Sequence, residues 1–303
     1  MNERNISVKE ISLILKHEFI GHNYTINGLN LCNRDSEYPS ILSFITSEKY
    51  VDYLRNHKKV KAVFLTKELF ELVKNELGNQ MAFFIVEYPE IVFYELHKYL
   101  YTNTLFYDQF VFPSKIGNYS HIHETALIED GVVIGDNVVV GPRSIVRKGC
   151  FISNNVQIGY GSILGSEGFQ LIFNKNKEPF LVKHVGGLLI EENVSIGDNC
   201  SVCNSLFEGY TSIGENTKID NLVHIAHNCR IGKNNVITAG VILSGSIVLN
   251  DNCWLAPNST LTNRVVLEDQ AFVGIGAVVL NQVNKGVKVF GNPARPFSSS
   301  KNL

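Results

Sequence analysis

The 303-residue chain has no run of about 18 apolar residues, so no segment of it reads as a membrane-spanning helix. Met1–Glu10 is polar and lacks an apolar stretch, which argues against a secretory signal peptide. There is no basic stripe or polybasic tail, and the net charge is only −2, so the chain carries no electrostatic footprint for nucleic acid. A disulfide framework is missing as well. Cys32, Cys150, Cys200, Cys203, Cys229 and Cys253 are scattered along a long chain, which suits a reduced, cytoplasmic setting. Cys200 and Cys203 form a C-x-x-C, but no second pair follows at zinc-site spacing, and no metal site is expected.

What is present is a repeat. Counting in sixes from Ile122, aliphatic residues recur at Ile128, Ile134, Val140, Val146, Ile152, Ile158 and Leu164. The period resumes at Ile190, Ile196 and Val202, slips by one residue, and runs from Ile213 to Val279 without a break. Several of these residues precede Gly, as in Ile134-Gly135 and Ile231-Gly232. A period of six fits neither a helix nor a simple amphipathic strand. It fits a parallel β-helix whose coil has three short faces and 18 residues, with one aliphatic side chain per face pointing inward and Gly, Asn or Asp at the corners. Stacked coils then share a continuous core.

Residues 1–109 differ in kind. Val8–Glu18 has a helical apolar stripe; Lys59–Thr66 and Met81–Val86 read as buried strands, and Lys67–Asn75 and Pro89–Tyr101 as helices. The expected architecture is mainly β: a small α/β domain over 1–109, a β-helix over 115–285 with an external loop at 165–189, and a tail over 286–303.

Of nine histidines, His224 and His227 lie close together inside the regular repeat. Ile225 is the inward residue, so His224 points outward and His227 sits at the next corner. One coil after His227 comes Gly245, whose unshielded backbone N–H suits a developing oxyanion. His-x2-His is not the His-x4-His of a β-helix zinc enzyme.

These residues carry a family resemblance. Ile219–Asn228, the insertion opening Gly165-Ser166-Glu167-Gly168-Phe169, and Ser43–Tyr50 resemble the UDP-3-O-acylglucosamine N-acyltransferases of lipid A biosynthesis. The resemblance implies a left-handed β-helix, His227 as general base, Gly245 as oxyanion donor, and Phe44 and Tyr50 on either side of a nucleotide base. His224, Asn221 and Phe169 fall in the matching segments as further substrate contacts. Two departures stand out. Asn228, not a carboxylate, follows His227, and the sequence stops soon after its repeat, where the lipid A enzymes have helices that recognise acyl carrier protein. Its Gly291-Asn292-Pro293-Ala294-Arg295 instead resembles the coenzyme A loop of sugar acetyltransferases, with Arg295 placed to meet a phosphate.

The expectation is a homotrimeric enzyme with an active site in each groove between copies and no permanently bound cofactor. It would move an acyl group from acyl-CoA to the amine of a UDP- or dTDP-linked amino sugar, for surface polysaccharide or O-antigen. The alternative is the lipid A enzyme itself, with acyl carrier protein as donor.

Overall fold

A computed structural model describes residues 4–107 and 110–297. These form two compact units, bounded as Met1–Gln109 with Phe169–Val185 and Phe207–Gly209, and Phe110–Gly168 with Gly186–Leu206 and Tyr210–Leu303.

The first unit is α/β. A short antiparallel pair, β1 (Ile6–Ser7) and β2 (Thr25–Ile26), flanks α1 (Val8–Leu15). Ser7 starts α1 with a capping box: its hydroxyl accepts from Glu10 N–H at 3.2 Å while the Glu10 carboxylate accepts from Ser7 N–H at 2.8 Å. Next come β3 (Gly28–Leu29), β4 (Ile41–Phe44), α2 (Val51–Asn56), β5 (Val60–Leu65), α3 (Lys67–Leu77), β6 (Ala82–Ile85) and α4 (Pro89–Asn103). Strands β3 to β6 form one parallel sheet in chain order. Such a sheet is covered on both faces, which explains the apolar runs Ala62–Leu65 in β5 and Ala82–Ile85 in β6. Leu69, Val73 and Leu77 of α3 join the buried cluster containing Val63, Leu65 and Phe83.

Two further segments belong to this unit. Leu171–Phe173 and Pro179–Leu181 pair as a hairpin within the insertion, and Phe207 stacks edge-on against Phe93 of α4 at 5.5 Å. His97, almost fully buried, links them to α4. It accepts from the Tyr107 hydroxyl through Nδ1 at 2.7 Å and donates from Nε2 to the Lys183 carbonyl at 2.8 Å. Both contacts need the neutral ring, and burial lowers its pKa to about 4. The folded state therefore binds fewer protons than the unfolded chain between the ordinary histidine value of 6.5 and about 4. Stability of this unit should fall as pH drops through that window, by up to about 3 kcal/mol. Urea titrations at stepped pH would show this, and His97→Gln should flatten the dependence.

The second unit is the β-helix. Its strands, mostly two residues long, stack in parallel into three sheets. Register is 18 residues in the regular coils, as in Val140 opposite Ile158 and Leu243 opposite Leu261. The sixfold aliphatic series is its interior: Ile134, Val140, Val146, Ile152, Ile158, Leu164 and their successors through Val279 form one continuous core. A second inward position at each face takes small residues, and this is where Cys150, Cys200, Cys229 and Cys253 sit. The thiols of Cys200, Cys229 and Cys253 donate to the carbonyls of Asp220, Ser244 and Glu268 at 3.1–3.2 Å, as the Ser144 and Ser162 hydroxyls do to Gly159 and Gly197. Asn residues turn the corners with positive φ, as at Asn137, Asn155 and Asn228.

The coil register shifts twice. Ile152 pairs with Ile190 across the insertion. The apparent one-residue slip before Ile213 is an outward excursion: Ile190 pairs with Ile213, five residues beyond the 18-residue spacing, and Phe207–Gly209 leave for the first unit.

Candidate active site

His224 and Ile225 form one strand, flanked in its sheet by Ser201 and Ile242. Ile225 is fully buried and His224 half-buried, so the alternation turns the imidazole of His224 outward. Burial lowers its pKa, which favours the neutral ring. His227 follows at the corner, beside Gly245 of the next coil. A methyl group on Gly245 would lie 2.9 Å from His227 Nε2 and Cε1. Only glycine leaves the imidazole room to lie across the backbone there.

Asn228 fixes that ring. Its Oδ1 accepts from the Leu206 backbone N–H at 3.2 Å, and its Nδ2 donates to the Ser205 hydroxyl at 2.5 Å. Leu206 N–H can only donate, so the atom it meets is the amide oxygen. The same oxygen lies 2.9 Å from His227 Nδ1, which must therefore carry the proton. In the neutral ring the lone pair is then on Nε2, the nitrogen that faces Gly245. The carboxamide does the orienting work that a carboxylate would do. The residues missed in the sequence are Ser205 and Leu206, which hold Asn228 from the preceding coil, and the register slip at Ile213 was the signal for them. Asn228→Ala should lower kcat by about 10–100-fold with little change in KM, the scale of loss when a group orienting an imidazole is removed. Asn228→Asp, which keeps the acceptor, should recover most of the rate in the same steady-state assay.

The Gly245 N–H donates to Asn263 Oδ1, one coil further on, at 2.9 Å. Asn221 lies at the other end of the His224 strand, where its Oδ1 accepts from Asp198 N–H at 2.7 Å. In the first unit, half-buried Phe44 ends β4 and packs its ring 4.9 Å from Phe93. Tyr50 closes the short 3-10 helix Glu48–Tyr50, with Lys49 Nζ 4.8 Å from its ring centroid. Phe169 is 78% exposed at the start of the insertion. The structure brings His224, His227 and Gly245 together in the second unit, while Phe44, Tyr50 and Phe169 belong to the first.

The stretch Gly291–Arg295 is a turn within a hairpin. Lys288–Phe290 joins the Phe272–Val273 strand in parallel, and Arg295–Pro296 folds back antiparallel on it. Val278 N–H donates to the Gly291 carbonyl and Ala294 N–H to the Val278 carbonyl, at 3.0 and 2.7 Å. Phe290 packs between Phe272 and Phe297, and Arg295 Nη1 donates to its neighbour's carbonyl at Ala294. The Asn292–Pro293 peptide is cis.

Residues 113–148 and 210–245 match the bacterial transferase hexapeptide (six repeats) family. The chain is 31% identical to a Helicobacter pylori (strain HPAG1) protein named UDP-3-O-acylglucosamine N-acyltransferase, over 73% of this chain and 70% of that one. The chain belongs to this family. A Campylobacter lari protein of the same name is 29% identical across 94% of this chain and 92% of its own. The UDP-N-acetylglucosamine acyltransferase structure from Campylobacter jejuni covers 61% of this chain and 70% of its own, with a TM-score of 0.54 at 21% identity. That likeness concerns the fold, a left-handed β-helix. The protein is an acyltransferase.

Membership corrects the expected function. The relatives carry the name of the lipid A enzyme, so the reading as an acyl-CoA-dependent enzyme of surface polysaccharide or O-antigen gives way to its alternative. Gly291, Asn292, Pro293, Ala294 and Arg295 had suggested coenzyme A because they resemble a donor loop. In the structure Gly291 and Ala294 bond Val278 of the last coil, and Arg295 pairs with Phe290, a structural role for the turn.

Proposed function

We propose that this enzyme transfers a hydroxyacyl group from acyl carrier protein to the amine of UDP-3-O-acylglucosamine, the N-acylation of lipid A biosynthesis. The observation that carries the reading is His227 held as the Nδ1–H tautomer against Gly245, in a chain whose relatives are named for this substrate. The sugar amine attacks the thioester carbonyl carbon, and its proton passes to His227 Nε2 as the carbon–nitrogen bond forms. The carbonyl oxygen becomes an oxyanion that the Gly245 N–H stabilises. The tetrahedral intermediate collapses by breaking the carbon–sulfur bond, and the proton on Nε2 goes to the departing thiolate. Neutral His224, outward on the same face, contacts the sugar nucleotide. Phe44 and Tyr50 flank the uracil base, and Asn221 and Phe169 serve as outer substrate contacts. A homotrimer, with each site walled by a second copy, completes the reading.

The test is turnover. Purified enzyme with hydroxyacyl carrier protein and UDP-3-O-acylglucosamine should yield the diacylated sugar nucleotide by mass spectrometry. Turnover with an acyl-CoA and none with the carrier protein would overturn the donor. A product acylated on a different amino sugar alone would overturn the acceptor.

A further inference from the structure

The corners of the β-helix are stitched by a repeated bond, in which a backbone N–H of one coil donates to an Asn or Asp side chain one coil later. The acceptors at Asn118, Tyr160, Lys233 and Asp251 are the carboxylates of Asp136, Asp198, Asp251 and Asp269, at 2.6–3.2 Å. At the His227 corner the same bond runs from Gly245 N–H to a neutral carboxamide, Asn263 Oδ1, at 2.9 Å. This is the amide on which the proposed oxyanion depends. In the enzyme as it stands, the donor is already engaged.

We propose that Asn263 is a shutter on the oxyanion site, occupying the Gly245 N–H until the thioester carbonyl displaces it. This rests on the reading of Gly245 as the oxyanion donor. Three features fit the role. Asn263 is exposed, so its side chain can swing into solvent without opening the core. The Gly245 N–H points along the coil stack toward a side chain and not to a buried carbonyl, so the donor is exchangeable. The acceptor is neutral, as at Asn154 and Asn221, where four other rungs use Asp, and at this corner neutrality is what the chemistry demands. A carboxylate would hold the N–H more strongly through a charge-assisted bond and would repel the oxyanion forming beside it. Asn263 is thus a positioning residue of the resting state that leaves before the reaction begins.

The test uses two variants of the enzyme. Asn263→Asp is conservative for the fold, because Asp occupies the equivalent ladder position at four other corners. It should nevertheless lower kcat/KM by about 100-fold or more, the scale of losing an oxyanion donor, with an unchanged melting temperature. Asn263→Ala removes the shutter and should keep kcat/KM within about threefold of wild type or raise it, since a net hydrogen bond of this kind is modest. Asn263→Asp at wild-type activity would mean that the residue is only a ladder rung. Asn263→Ala as impaired as Asn263→Asp would mean that the carboxamide itself touches substrate, and the shutter would be discarded. A second readout does not depend on turnover. In protein labelled with 15N-glycine, the Gly245 amide proton should move upfield in Asn263→Ala and downfield in Asn263→Asp. Wild-type enzyme that fails to turn over acyl carrier protein would sink the functional reading alone, whereas unmoved Gly245 signals would sink the shutter.

Discussion

His227→Ala is expected to lower kcat by about 10²–10⁴-fold while KM for both substrates changes little. The size follows from what the ring is placed to do. An amine gains positive charge as it attacks a thioester, and a base that takes the proton as the bond forms prevents the amine from being expelled again. The Leu206–Asn228 contacts keep the proton on Nδ1, so Nε2 is the nitrogen with a lone pair to offer. Binding groups are untouched by the substitution, which is why the loss belongs in kcat. The rate of the wild-type enzyme should fall on acidification as Nε2 becomes protonated, and that acid limb should vanish in His227→Ala. Steady-state rates across pH decide the matter. A variant with near-wild-type kcat and the same acid limb would show that the amine arrives already neutral and that the groove acts by positioning alone.

Gly245→Ala should cost about 10²-fold in kcat, the penalty for misplacing a catalytic group by about 1 Å. The added methyl would stand 2.9 Å from His227 Nε2 and Cε1, closer than packed atoms tolerate, so the imidazole has to move. Gly245 is not among the glycines with positive φ, so alanine brings no backbone strain, and the amide donor remains. The harm is therefore local, and the melting temperature should be nearly unchanged. A double-mutant cycle separates this account from a general loss of folding. If Gly245→Ala acts only by displacing the ring, adding it to His227→Ala should cost little more than His227→Ala alone. Full additivity in the measured kcat values would show that the methyl does its damage elsewhere, at the acyl oxygen.

The core was legible because a six-residue period has one physical solution, and the residues that follow it from Ile134 to Val279 are buried. His227 and Gly245 could be paired on paper because an 18-residue coil makes stacking partners a matter of counting. The support for the ring could not. Ser205 and Leu206 reach Asn228 through an excursion that is not in the period, and counting saw only a slip before Ile213. The orienting role of Asn228 is likewise hidden in sequence, because a carboxamide carries no charge to mark it and only its neighbours show which of its atoms meets the ring. The end of the chain misled for the opposite reason. Gly291 to Arg295 is a local motif, and a motif records which turn the backbone makes, not what the turn is for. That Val278 needed its backbone groups satisfied is a property of the last coil, visible only once the coils are stacked.

The same stretch has a consequence for solubility. A parallel β-helix ends in exposed peptide groups, and its own first coil is a matching template, so copies could add head to tail into a filament that never closes. Here the final coil is taken up within the chain. Val283 bonds Val266 and Glu268, Val287 bonds Phe272, and Gly291 and Ala294 bond Val278. In one of the three sheets the outermost strand is only Arg295–Pro296, and a proline has no N–H to offer a neighbour. The repeat that makes the core so easy to extend is thereby given a last coil whose backbone groups at Val266, Phe272 and Val278 are already taken, which leaves fewer of them to template another copy.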